Sequence, residues 1–271
     1  MPELPEVEVT RRSLAPALSG ATIRGAWQGK SLRVALGCDT GRLAGLQIGA
    51  VERRGKYILA DAGVGVLIIH LGMSGSLQWF ADPAPPRSAW VRFELLTGRG
   101  VLRLDDPRRF GAVVWHEGAD VAQHPLLRRL GREPLEPGFD GALLHAAARG
   151  RRVSVKQWLL AGHAVVGVGN IYASEALFEA GIHPATAAGR LSRARCDRLA
   201  QAVRGVLGRA IEAGGSTLRD FSDAQGHAGH FQHAAAVYGR AGEPCMHCGR
   251  PIRRMVQGQR STFYCPGCQR R

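Results

Sequence analysis

At 271 residues the chain is long enough for two cores, and an apolar share of 45% can fill them. Thirty-six Lys and Arg against 22 Asp and Glu leave a formal net charge of +14, which attracts polyanions, nucleic acid before anionic membrane. No run of about 18 apolar residues occurs, which excludes a spanning helix. The acidic start also lacks the n- and h-regions of a secretory signal, so an intracellular, soluble protein is expected. The cation is almost always arginine. Lys30, Lys56 and Lys156 are the only lysines; a lysine kept in such a chain marks a need for a compact ammonium, or chance.

The chain opens Met1-Pro2-Glu3-Leu4-Pro5-Glu6-Val7-Glu8. With Met1 trimmed, as is usual before a small second residue, Pro2 presents a secondary amine. A free α-amino group titrates near ~7.7–8.0, so an unprotonated fraction exists at neutral pH. Its attack on a sugar aldehyde carbon gives an iminium with no N–H proton to lose, which therefore stays cationic. Glu3 is placed beside it to give or take a proton. The same residues also read as an ordinary helix start, with prolines in the first turn, acids at the positive end of the dipole, and Val7, Leu14 and Leu18 as the apolar side.

After this helix, residues 21–115 read as short strands at 22–27, 31–36, 49–54, 57–60, 64–70, 76–80, 91–96, 101–104 and 112–115. Gly and Asp clusters separate them at sandwich or barrel spacing. The Pro-rich piece at 82–86 is a surface loop, and 133–138 reads as a linker. Helices are expected at 141–148, 155–161, 171–180 and 192–213, followed by a Gly/His/Ser-rich loop at 214–237.

Cys245-x2-Cys248-x16-Cys265-x2-Cys268 has the spacing of a four-thiolate tetrahedral zinc site, closed and therefore structural; a redox dithiol or an iron site are the alternatives. Residues 252–256 and 261–264 flank Gln257-Gly258-Gln259 as a hairpin too short to bury a core, so the metal would hold it. Arg260, beside the turn, can reach a phosphate. In Val165-Val166-Gly167-Val168-Gly169-Asn170-Ile171-Tyr172, Asn170 can cap a helix whose exposed N–H groups bind phosphate, or simply close a tight turn. Lys156, Arg151 and Arg152 add cations nearby. Met73 sits at a glycine-flanked loop tip after His70-Leu71-Gly72, and Arg108 and Phe110 project from Asp106-Pro107-Arg108-Arg109-Phe110-Gly111. Together they make a plausible set for entering a base stack, although each alone also reads as packed or solvated. Lys56 begins a strand after a basic turn, where it holds a phosphate, assists proton transfer, or is solvated.

These motifs, joined by Gly239-Arg240, Glu243-Pro244-Cys245 and Thr262-Phe263-Tyr264-Cys265, run the length of the chain. In that order the sequence resembles the formamidopyrimidine-DNA glycosylase family. The resemblance implies an α+β protein of two domains: an N-terminal β-sandwich with an N-terminal helix, and a C-terminal helical domain with a helix–two-turn–helix and a zinc β-hairpin finger, with DNA between them. The expected divisions are 1–132 for the sandwich, 133–150 for linker and first helix, 151–238 for the helical domain with a lesion-closing loop, and 239–271 for the finger.

By resemblance, Pro2 is the nucleophile and Glu3 the proton donor, while Lys56 assists β-elimination and Arg260 δ-elimination. His70, Lys156 and Asn170, with Arg151 nearby, contact the DNA backbone, and Met73, Arg108 and Phe110 fill the vacated space. The implied partner is double-stranded DNA carrying a damaged base, the implied cofactor one structural Zn2+. The implied role is base excision repair of oxidised purines, 8-oxoguanine and formamidopyrimidines, as a glycosylase with lyase activity. A monomer in the cytoplasm, associated with the nucleoid, is expected, without a membrane partner. Two stretches depart from the family pattern. Arg87-Ser88-Ala89-Trp90 stands where a His-containing stretch is common, and His227-Ala228-Gly229-His230-Phe231 where a tyrosine commonly precedes the Phe. An endonuclease VIII-type enzyme for oxidised pyrimidines and a non-catalytic zinc-ribbon DNA-binding protein are the rival readings.

Overall fold

The computed structural model describes residues 2–216, 224, 226 and 229–271. Met1 and most of the expected closing loop, including His227 and Ala228, lie outside the described residues. The chain divides into two compact units, one of residues 1–128 with 213–230, the other of residues 129–212 with 231–271.

In the first unit, helix α1 (Leu4–Leu18) is followed by eight strands. One antiparallel sheet has the order β1 (Ile23–Gln28), β6 (Val91–Thr97), β7 (Val101–Asp105), β5 (Ser76–Phe80). The other runs β2 (Val51–Arg54), β3 (Tyr57–Asp61), β4 (Gly65–His70), β8 (Ala112–Glu117). Period-two alternation sends Phe93 and Leu95 of β6 into a common core with Ile58, Leu67, Ile69 and Val113. That core also takes Val7, Leu14 and Leu18 of α1, the face that the spacing predicts.

Eight of the nine expected strands form, with ends shifted by a residue or two. Segment 31–36 is the exception: it carries bends and no ladder. Its buried residues are Leu32 and Leu36, four apart, whereas a half-buried strand hides every second side chain. One bond, the Trp115 N–H to the Leu36 carbonyl at 2.7 Å, ties it to the edge strand β8.

Four helices form the second unit: α2 (Gly141–Ala148), α3 (Val155–Leu160), α4 (Asn170–Glu179) and α5 (Arg193–Glu212). The Asp140 and Ser154 side chains cap α2 and α3. Stretch 133–138 belongs to this unit, where the Pro134 and Glu136 carbonyls accept from the Arg204 guanidinium at 3.1 and 3.0 Å. A hairpin of β9 (Arg253–Gln257) and β10 (Arg260–Tyr264) completes it. Its two-residue turn has φ of +53° at Gly258 and +60° at Gln259, the type I′ geometry that matches strand twist. Among the described residues no helix is long and apolar enough to cross a membrane.

Helices α2 and α5 meet at Gly141, where an added Cβ would lie within 2.5 Å of the Asp197 Cα. Gly141→Ala is therefore expected to destabilise the second unit by about 1–3 kcal/mol through overpacking. A chemical-denaturation series on the two proteins checks this.

Candidate active site and metal centre

The start of α1 is buried, with Pro2, Glu3, Leu4, Pro5 and Glu6 all inside. Glu3 is the N-cap and Glu6 the third helical residue, and the two form a reciprocal capping box. The Glu3 N–H donates to Glu6 Oε2 at 2.8 Å, and the other Glu6 oxygen accepts from the Ser216 N–H, also at 2.8 Å. Glu6 thus binds the chain's first turn to the segment at Ser216. One turn on, Glu8 accepts from Arg11, Arg12 and Arg53. Burial opposes its charge, but these guanidiniums outweigh it and hold the carboxyl below its usual range. Arg53 also donates to the Gly55 carbonyl at 3.1 Å, so α1 is connected to the turn that carries the half-buried Lys56.

His70 ends β4 with its ring 4.7 Å from that of Tyr57. Its Nδ1 accepts from the Gly72 N–H at 3.0 Å, so the neutral ring carries its proton on Nε2 and can donate there. Burial, followed by the positive charge of Lys56 and Arg33, lowers its pKa to about 4. His70 is therefore a neutral donor at physiological pH. Met73 and Phe110 are each 43% exposed on neighbouring loops, and the Arg108 guanidinium carbon lies 4.8 Å from the Phe110 ring centre.

In the second unit Arg151 and Arg260 are exposed. Lys156, expected by resemblance at a phosphate, is enclosed within its own unit. It is 0% exposed, and its Nζ donates to the Ser261 carbonyl at 3.1 Å and to Thr262 Oγ1 at 2.8 Å. A buried ammonium needs such partners, and the hairpin strand beside Arg260 supplies them. Asn170 departs from its expected capping role as well. Gly169 is the N-cap, and Asn170, the first helical residue, donates through Nδ2 to the Ser261 carbonyl at 3.0 Å and to the Tyr238 hydroxyl at 3.2 Å.

The four cysteine Sγ atoms lie within 4.8 Å of one another. Cys248–Cys265 and Cys245–Cys268 are 3.4 and 3.8 Å apart. A tetrahedral zinc with bonds of about 2.3 Å spaces its sulfurs by about 3.8 Å, so this donor set fits one closed zinc. Burial resists ionisation of Cys245, but the N–H groups of His247 and Cys248 and the neighbouring thiols bring it down to about 7. Burial and the crowding of thiols push Cys265 and Cys268 up. Four thiolates this close require a dication. The protein holds one structural zinc.

Three family models cover most of the sequence in order: the formamidopyrimidine-DNA glycosylase N-terminal domain at residues 1–113, the formamidopyrimidine-DNA glycosylase H2TH domain at 130–222, and the zinc finger found in FPG and IleRS at 242–271. The chain belongs to the formamidopyrimidine-DNA glycosylase family. A relative of that name from Acidovorax sp. (strain JS42) is 58% identical over 271 residues, covering 100% of both chains. The MutM (FPG) protein of Thermus thermophilus matches with a TM-score of 0.89 at 40% identity, over 99% of this chain and 98% of that one. A Lactococcus lactis FPG mutant, solved in complex with Fapy-dG-containing DNA, matches with a TM-score of 0.92 at 32% identity, over 100% of both chains.

Three buried acids of this glycosylase-family chain were not legible as structural ties. They are Glu6, Asp106 and Glu175, and Glu175 accepts the N–H groups of Ala236, Val237 and Tyr238 at 2.7, 3.0 and 2.7 Å. Each is an acid in a strongly basic chain, which is the only signal the sequence offers. Glu175 lies one turn along α4 from Asn170 and fixes the backbone of Tyr238, whose hydroxyl Asn170 contacts.

Since His70 ionises more readily when unfolded, its contribution to stability is complete above pH ~6.5 and falls as pH drops toward about 4, by at most about 3 kcal/mol. Denaturant midpoints measured across that window should show the loss, and His70→Gln should flatten it. Removal of zinc with a chelator is expected to raise amide exchange through 245–268 while leaving most helical circular dichroism in place.

Proposed function

We propose that the protein excises oxidised purines, 8-oxoguanine and ring-opened formamidopyrimidines, from duplex DNA and then cuts the strand at the resulting site. The observation that carries this reading is the locked, buried start of α1. With Met1 removed, it leaves a secondary amine at a fixed position beside Glu3. The family's domains along the chain and the Fapy-dG complex of the L. lactis relative support it.

A base must leave the stack before C1′ can be reached, at a cost of a few kcal/mol that damage lowers. Met73 and Phe110, with Arg108 beside them, occupy the vacated space, and Arg108 reads the orphaned cytosine. His70 donates to a backbone phosphate as a neutral ring, Asn170 takes a second phosphate, and Arg151 adds charge. Lys156 contributes by holding β10, where Arg260 begins.

The Pro2 nitrogen attacks C1′ and the glycosidic bond breaks, its electron pair leaving with the base, which takes up the proton that the nitrogen gives up. The C1′–O4′ bond then opens as Glu3 protonates O4′, and the nitrogen lone pair forms the C1′–N double bond. The resulting iminium acidifies C2′. Loss of a C2′ proton, assisted by Lys56, expels the 3′-phosphate with the C3′–O electron pair. A further proton loss with Arg260 at the 5′-phosphate expels that group in turn, and hydrolysis of the imine frees the enzyme.

Borohydride is expected to reduce the iminium and trap a covalent adduct on a duplex with 8-oxoguanine opposite cytosine. Pro2→Gly should trap about tenfold less or weaker still, because a primary amine's imine readily loses its proton. Equal trapping by the variant would remove proline from the mechanism, and preferential cutting of a thymine glycol duplex would move the substrate to oxidised pyrimidines.

A further inference from the structure

Asp106 is 0% exposed, and each of its carboxyl oxygens serves a different loop. Oδ1 accepts from the Ser74 hydroxyl at 2.8 Å, next to Met73, and Oδ2 accepts from the Gly111 N–H at 2.7 Å, next to Phe110. Its backbone is held as well. The Asp106 N–H donates to the Trp90 carbonyl at 2.9 Å, and its own carbonyl accepts from Arg92 Nε at 3.0 Å and from the Arg109 N–H at 3.3 Å. The last bond closes a turn with Pro107 in its second position and Arg109 in the left-handed region, φ +58°, which turns Phe110 outward.

The two loops also touch backbone to backbone. A Cβ on Gly72, where φ is +62°, would lie 2.5 Å from the Gly111 nitrogen and the Phe110 carbonyl carbon, and a Cβ on Gly111 would lie 2.8 Å from the His70 carbonyl. Interfaces packed this closely shift between discrete arrangements rather than deforming gradually. The Gly72 N–H is in turn fixed by His70 Nδ1.

The geometry points to Asp106 as a positioning residue that locks the Met73 loop and the Arg108–Phe110 loop into one rigid wedge, so that the two apolar tips enter the base stack together. This rests on the wedge role proposed for Met73 and Phe110. It assigns Asp106 no contact with DNA and no proton transfer, and it makes eversion of the damaged nucleotide, rather than bond cleavage, the step that Asp106 controls.

The test uses the full-length zinc protein and a duplex with 8-oxoguanine opposite cytosine and 2-aminopurine next to the lesion. Fluorescence reports eversion, and single-turnover cutting is followed in parallel on the same lesion opposite an abasic position, where no pair has to be opened. Asp106→Ala is expected to slow the fluorescence rise about tenfold, with at most a twofold loss on the unpaired lesion. Asp106→Asn should restore most of the rate, because its oxygen can face the Gly111 N–H while the Ser74 hydroxyl turns to accept from its amide. Should Asp106→Ala fail to fold, Ser74→Ala cuts the Met73 arm alone and is expected to slow eversion without adding to the effect of Met73→Ala. Equal slowing on both substrates, or no slowing of eversion where Met73→Ala and Phe110→Ala do slow it, overturns the lock. If Met73→Ala and Phe110→Ala leave eversion unchanged, the wedge reading itself fails and the lock with it.

Discussion

The first turn of α1 is held from both directions, by the reciprocal bonds of Glu3 and Glu6 and by the Ser216 N–H on the second Glu6 oxygen. A chain terminus normally frays, because its backbone groups have only water as partners. Here every part of the proposed chemistry requires it to stay in place. The glutamates satisfy N–H groups that would otherwise be orphaned, and Val7, Leu14 and Leu18 anchor the helix in the sandwich core. Glu8 and Arg53 extend the constraint to the turn of Lys56, so amine and lysine are set by one bonded chain of groups.

Glu6, Asp106 and Glu175 repeat one device. Each is a buried acid whose two oxygens accept donors that include at least one backbone N–H and at least one group of another segment. Burying such a group is costly unless its lone pairs are filled, and filling them from loops turns that cost into loop order. In a chain of net charge +14, these three acids work inside.

What the sequence disclosed follows the reach of local rules. Strand alternation and helix periodicity located most elements, because each depends on a burial face repeated within a few residues. The cysteine spacing sufficed for the zinc for the same reason. Segment 31–36 misled, since its composition does not reveal that burial falls on Leu32 and Leu36, four apart, instead of alternating along a ladder. The partners of Lys156 and Asn170 were hidden in another way. Both bond to the Ser261 carbonyl, about a hundred residues away in the chain, and no pattern around either residue encodes that meeting. Asp106 stands before Pro107 as a turn residue commonly does; the second loop it holds comes into view only once β4, β7 and β8 are aligned.

The burial of Lys156 has a practical side. With that ammonium enclosed, the lysines open to amine-directed reagents reduce to the exposed Lys30 and the half-buried Lys56. A dye or crosslinker that modifies primary amines would meet a surface of guanidiniums that do not react with it. Lys30 is then the lysine most open to such a reagent, away from the turn that carries Lys56, and it offers an attachment point for watching this protein move along DNA.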